Sequence, residues 1–358
     1  MPAAQSEVTV HVIIPARNEE DSLGRCLESL AGQQGISFRI TVVDDGSTDR
    51  TRAIAESYPG VEVLSAPEPP PGVMGKCNAL IAGARGSLAK WLLLTDADTF
   101  HLPGSLAAAV REAEERRVDL LSYSPEQEVV SFAERILMPL VFADLVREYP
   151  PERVNDPQDP VVAANGQYIL VRRIAYEELG GHQCVADNLL EDVALARIFK
   201  ASNHPIWFRF GGGIVRTRMY RSFHAMTEGW TKNLALLFRH PVLLAALRSL
   251  EFVVVAAAVV IDFIALANVR PDIGWPGLSL TAFFYLLFIV RISRAHFPWS
   301  SNLLAWFGLP LYVSLLLRSY LHSHRRGAVT WKGRTYPSSA PGRAAGSSTQ
   351  GSKSGLKS

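Results

Sequence analysis

Cysteine is scarce in this chain, and an excess of charge of either sign is missing. Cys26, Cys77 and Cys184 stand far apart with no C-x-x-C pair, which excludes a disulfide scaffold and a cysteine-ligated zinc site. Reduced thiols in a cytosolic compartment are the expectation. Lys and Arg number 36 against 34 Asp and Glu, a formal net charge of +2, too even for the basic footprint of a nucleic-acid binder. The opening MPAAQSEVTVHVIIPARNEE carries neither a basic leader nor a long apolar run, so no signal peptide is read there. The start of the chain is expected in the cytoplasm.

The 358 residues suffice for one domain of roughly 200 to 250 residues with something appended. Composition changes near residue 250. From Glu251 to Leu321 the charged side chains, His aside, are Glu251, Asp262, Arg270, Asp272, Arg291, Arg294 and Arg318. Three apolar runs lie there, Phe252–Ala267, Trp275–Val290 and Leu303–Leu317, each a little short of the roughly 20 residues of an average membrane span. The expected organisation is a water-soluble domain over 7–230, an interfacial amphipathic helix over 231–249, a membrane region over 250–322 and a disordered tail over 333–358. Met226–Arg248 combines an apolar face with Lys232, Arg239, His240 and Arg248, the pattern of a helix lying at lipid head groups. Ser131–Tyr149 is apolar enough for either an interfacial or a core helix. Basic clusters at Arg291–His296 and Arg325–Arg334 both favour the cytoplasmic side. That places Leu303–Leu317, with Pro310 inside it, on a re-entrant or interfacial path and the C-terminus inside.

In the first part, strand-like runs alternate with helical ones: VTVHVIIPA, DSLGRCLESLAGQQ, RITVVDDGSTDRTRAIAESY, VEVLSA, GKCNALIAGARG and KWLLLTDAD. Such alternation implies an α/β domain with a mostly parallel sheet between helices. Ligands of these sheets sit at the carboxyl ends of the strands. Three polar clusters, PARNEE, DDGSTD and DAD, fall at those ends. Asp96 and Asp98, two apart in an extended chain, face one side. A divalent cation would relieve their repulsion, although a solvated turn would also accommodate the pair. Asp44 and Asp45, before Gly46, can accept from a ribose diol or cap a turn. Lys76 opens a helix, where a cation and backbone N–H groups favour phosphate. Glu191 and Asp192 begin an amphipathic helix, either as dipole partners or with one as a general base. Arg216, Arg218 and Arg221 follow a glycine run and can meet an anion or a membrane surface.

Taken in order, PARNEE, VVDDGSTD, GKCNAL, LLLTDADTF, GGH, LLEDVAL and VTWKGRTY resemble the family 2 glycosyltransferases and their GT-A nucleotide-sugar-binding fold. ANGQYILVRRIAYEELGGH and WKGR are similar to the membrane-attached members that glycosylate lipids, among them ceramide glucosyltransferases and carotenoid- and hopanoid-associated bacterial enzymes. The resemblance implies inverting transfer from a nucleoside-diphosphate sugar, a UDP-sugar foremost, to a hydroxyl or carboxyl group of a membrane lipid at the inner membrane. Pro15, Glu19, Asp44, Asp45, Lys76 and Asp96 would bind the nucleotide sugar, and Asp98 with Asp96 would hold Mg²⁺ or Mn²⁺. Asp192 would be the base beside Glu191, and Gln167 and Trp230 would face the acceptor. Arg218 and Arg221 occupy the basic positions of the family's Q/R-x-x-R-W motif. Ser222 stands where its Trp is expected, a departure from the processive polysaccharide synthases. A polyprenyl-phosphate glycosyltransferase would share the first motifs but needs no strong base. A non-catalytic membrane protein would have no use for the full set of acids.

Overall fold

The computed structural model describes residues 8–267, 271–325, 328–331 and 334–337. Strand and helix alternate through β1 (Val10–Ala16), α1 (Leu23–Ala31), β2 (Phe38–Asp44), α2 (Thr51–Glu56), β3 (Val61–Ser65), α3 (Gly75–Ala84) and β4 (Trp91–Thr95). Then follow β5 (Thr99–His101), α4 (Ser105–Glu115), β6 (Leu120–Ser124), β7 (Glu126–Gln127), α5 (Phe132–Glu148) and α6 (Pro151–Val154). The domain closes with β8 (Tyr168–Arg172), α7 (Arg173–Glu178), α8 (Glu191–Ala201), β9 (Ile206–Phe210) and β10 (Val215–Thr217). The C-terminal part is α9 (Phe223–Leu237), α10 (Pro241–Ala267), α11 (Pro271–Ser293), α12 (Trp299–Leu304) and α13 (Leu309–Arg325), ending in the hairpin β11 (Ala328–Trp331) and β12 (Arg334–Pro337).

The main sheet runs β3-β2-β1-β4-β8-β6-β9. Its first four strands are parallel, β8 is antiparallel to both neighbours, and β6 and β9 pair in parallel. This is the mostly parallel α/β sheet expected of a GT-A fold. β1, β2 and β4 are covered on both faces and are correspondingly rich in Val, Ile and Leu. One core packs α1 and α4 on one face, and a second packs α3 and α8 on the other. Gly83 lets α3 lie close to the sheet, since a Cβ there would fall 2.5 Å from Ile13 Cγ2 and 2.9 Å from Val43 Cγ2. A small sheet, β5-β10-β7, sits beside the main one.

A third core joins α5 and α9 to α10, α11 and α13. Here the structure decides one open reading and corrects one expectation. Leu137–Ala143 of α5 are buried, so this helix is core rather than interfacial, as an all-round apolar helix should be. The segment 231–249 is not one amphipathic helix: α9 ends at Leu237 and α10 begins at Pro241, because Pro241 has no N–H to continue α9 and favours a first helical turn. Arg248 does not face lipid head groups either. It donates to Asp144 on α5 (Nη2–Oδ1 2.6 Å, Nε–Oδ2 3.0 Å) and to Glu251 (2.8 Å), while Arg291 reaches Asp144 (3.3 Å) and Glu251 (2.9 Å).

Among the described residues, Pro241–Ala265 and Trp299–Ser323 are helical stretches long and apolar enough to cross a membrane, and Gly277–Ser293 is a shorter apolar helix. Of the apolar window in Trp299–Ser323, 44% is buried. Much of that contact is with α5, where the backbones approach so closely that a Cβ on Gly308 would meet the Ile136 carbonyl oxygen at 2.1 Å. Of the expected tail, Arg334–Pro337 pairs as a strand, and 338–358 lies outside the described residues.

Candidate active site

β1, β2 and β4 point their carboxyl ends at one rim, Ala16 pairing with Asp44 and Ile13 with Leu94. A cleft of about 840 Å³ opens there, lined by Pro15, Glu19, Asp45, Lys76, Asp96, Asp98, Gln167, Glu191, Asp192, Arg218, Arg221 and Trp230. Residues from seven sequence-distant segments are thus brought together. Asp44 is not among the lining residues. Its carboxylate accepts the Ser47 N–H (3.1 Å) and stands 3.9 Å from Arg52 Nη1, so it braces the turn that presents Asp45. Adjacent residues at a strand end point to opposite sides, and only one of the two can face the cleft.

Lys76, in the first turn of α3, bridges two elements: its Nζ lies 2.8 Å from Asp96 Oδ1 and 2.9 Å from Glu191 Oε1. Burial works against the ammonium, but Asp96 and Glu191 outweigh it and hold its pKa well above the usual range. The two acids opening α8 diverge. Burial raises Glu191, yet the Lys76 charge prevails and its pKa is lowered. Asp192 is pushed up to about 6, first by burial and then by the neighbouring Glu191. Its Oδ2 accepts the Gly166 N–H (2.8 Å) and its Oδ1 the Val193 N–H (2.8 Å), which fixes the carboxylate. Gly166 is required where it is: a Cβ there would stand 2.9 Å from Lys76 Nζ and 3.4 Å from Asp192 Oδ2.

Asp98 is approached by Gln167 Nε2 at 3.4 and 3.5 Å, and Gln167 also donates to Thr217 Oγ1 (3.1 Å). Gln167 Oε1, the Trp230 indole N–H and Asn233 Oδ1 are buried without a hydrogen-bond partner among the described residues, and all three residues line the cleft. Arg218 is anchored to Glu134 at the start of α5 (3.1 and 3.3 Å), which fixes its guanidinium in the wall. Arg221 is exposed at the rim.

Lys232 lines the same cleft. Burial lowers its pKa, while Glu191 pulls the other way. Its placement on a helix preceding an apolar run resembles a head-group contact, and only the packing of α9 on α5 turns it inward. The cleft is also lined by the apolar side chains of Phe142, Leu145, Val146, Phe208, Phe210, Met219, Leu237 and Phe297.

Residues 11–180 match the model of glycosyl transferase family 2. Over that stretch the chain is similar to the family 2 glycosyltransferases. The glycosyltransferase is 28% identical over 339 residues to a 4,4'-diaponeurosporenoate glycosyltransferase of Staphylococcus aureus strain MRSA252, covering 91% of this chain and 87% of the relative. The counterpart from strain USA300 is 27% identical over 350 residues with the same coverage. Among solved structures, the glycosyltransferase aligns with a mannosyltransferase from Pyrobaculum calidifontis in complex with GDP-Man and Mn²⁺ at a TM-score of 0.49 and 18% identity, covering 89% of this chain and 87% of that one.

Proposed function

We propose that this glycosyltransferase moves a sugar from a nucleoside-diphosphate sugar, UDP-sugars first, to a hydroxyl or carboxyl oxygen of a lipid acceptor, with inversion at the anomeric carbon. One observation carries the reading: Asp192 stands in a single cleft that joins the carboxylate rim of the sheet to an aromatic and aliphatic wall. The relatives named for 4,4'-diaponeurosporenoate support an acceptor of that kind, a carotenoid-type chain ending in an oxygen nucleophile. Exposed apolar side chains on α10 and α11, among them Val253, Ile261, Phe263 and Leu286, support attachment to a membrane, whose cytoplasmic face holds the nucleotide sugars.

In this mechanism the acceptor oxygen attacks the anomeric carbon as the bond to the diphosphate oxygen breaks. The nucleoside diphosphate leaves with the bonding pair, and Asp192 takes the proton of a hydroxyl acceptor; an ionised carboxylate acceptor has none to give. A base works best with a pKa near the operating pH, which favours Asp192 over Glu191. Glu191 instead holds Lys76 in place. Lys232 and Arg221 face the developing charge on the leaving group, the larger part of such catalysis in most enzymes. Lys232→Met is expected to lower kcat by roughly 10²-fold, by analogy with the loss of one oxyanion donor, measured with saturating acceptor. An unchanged kcat would return Lys232 to a packing role.

Asp98, with Asp96, would hold Mg²⁺ or Mn²⁺. Carboxylate oxygens suit a hard cation, and no group of three or more His, Cys, Asp or Glu is gathered for one among the described residues. The remaining coordination would then fall to diphosphate oxygens, the common habit of Mg²⁺. When bound, the cation would neutralise charge on the departing diphosphate. Asp98→Ala is expected to remove the metal-dependent part of UDP binding in calorimetry, and full binding by the native protein in excess chelator would remove the metal from this reading. The function itself is tested by mass spectrometry of lipids from cells with and without the protein. A sugar-lipid product lost with the gene is expected; an unchanged lipid profile, with no UDP-sugar turnover on membrane extract, would overturn the reading.

A further inference from the structure

The short connector between α11 and α12 belongs by sequence to the apolar C-terminal region, yet Arg294, Ala295, His296 and Phe297 all line the cleft. Its backbone is fixed: His296 adopts a left-handed conformation, φ 61°, and the Asn302 amide holds the Phe297 carbonyl (3.2 Å). Phe297 is buried edge-on against Phe142, ring centroids 5.7 Å apart at 63°. The His296 ring, pushed outward by the turn, lies flat on Phe210, with centroids 4.3 Å apart and planes within 11°. Phe210 ends β9 at the edge of the main sheet and is held over Gly212, where a Cβ would fall 2.4 Å from its ring. The two rings meet in the lining of the cleft, one from the α/β sheet and the other from the apolar C-terminal region.

We infer that the Phe210–His296 stack is a specificity element of the acceptor subsite: it forms a flat aromatic wall along which an unsaturated apolar chain lies while its oxygen end reaches Asp192. This rests on the reading of the cleft given above. An extended polyene or other flat chain presents a face to such a wall, whereas a saturated chain with free rotation gains less from it. Aromatic faces contribute the equivalent of roughly three- to tenfold in affinity beyond the area they bury.

The probe is parinaric acid, a fluorescent polyene carboxylate, titrated into the purified full-length protein in detergent and followed by energy transfer from the tryptophans. Asn tolerates the left-handed backbone nearly as well as His, so His296→Asn removes the ring and keeps the turn; Phe210→Leu removes the other half. Each variant is expected to weaken parinaric acid binding roughly three- to tenfold and to narrow the preference over stearic acid as competitor. UDP affinity, read by calorimetry on the same samples, should stay at the native value. Native-like parinaric acid binding in both variants, or no saturable binding to the native protein, would overturn the inference. Saturable binding lost in the variants, with no lipid glycosylated by the native protein, would uphold the stack and reject the proposed reaction instead.

Discussion

Asp192→Asn should reduce kcat by roughly 10²- to 10⁴-fold, the usual contribution of a general base, with nucleotide-sugar affinity preserved. Asparagine matches aspartate in shape, but its single carbonyl oxygen can keep only one of the Gly166 and Val193 N–H groups, which now bind different carboxylate oxygens at 2.8 Å. The ability to take a proton is lost, together with one of those two hydrogen bonds. The native enzyme should in turn lose kcat as pH falls through about 6, where Asp192 becomes protonated. Glu191 and Lys76 remain charged in that window, since Glu191 is lowered and Lys76 raised. Stability should move the opposite way. A carboxyl whose folded pKa is raised favours the folded state while protonated, and that advantage fades as pH rises through about 6. The Asn variant carries no charge to bury, so its melting temperature relative to the native protein should shift upward as pH rises from about 3.8 to about 6 and level off above that. An Asn variant with native turnover would exclude Asp192 as the base.

Removing Asp144 should produce the largest structural effect. Its side chain is 1% exposed and it holds both Arg248 and Arg291. Asp144→Ala leaves two guanidinium groups to share Glu251, and breaking a buried ion cluster on one side costs about 3–5 kcal/mol. The expected readout is a sharply lower midpoint in thermal or denaturant unfolding, with poor accumulation in cells. Replacing Asp144 and Arg248 together with apolar residues should recover part of the loss, because the pair carries its own desolvation cost. Equal stability of Asp144→Ala and the native protein would show that water reaches the cluster.

Much of the site is legible because motif chemistry and strand ends coincide: Asp45, Lys76, Asp96, Asp98, Glu191 and Asp192 lie in one cleft, and each sits at the end of a strand or the start of a helix, where local pattern is informative. What escapes the sequence is long-range. Nothing near Arg218 announces Glu134, 84 residues away, and nothing in YILVR tells that β8 runs against its neighbours. Lys232 beside an apolar run looks like a head-group contact and Arg291–His296 like a cytoplasmic basic cluster, and only the packing of α9 and α11 on α5 turns Lys232 and His296 toward the cleft. α5 misleads for a related reason: without a polar face, burial in protein and burial in lipid leave the same composition.

The core shared by α5, α9 and the apolar helices has a consequence for biosynthesis. α5 ends at Glu148, but the residues that cover it, around Gly308 and Tyr312, are translated last. At about 5–20 residues per second, more than 150 residues of synthesis separate the two, a wait on the order of ten seconds or more. Through that interval Leu137–Ala143 lack part of their cover, and the Asp144 carboxylate waits for Arg248 and then Arg291, so the nascent chain must be shielded by the insertion machinery or a chaperone. Ribosomes stalled before residue 300 should therefore display a protease-sensitive α5 even though β1 to β4 are already complete.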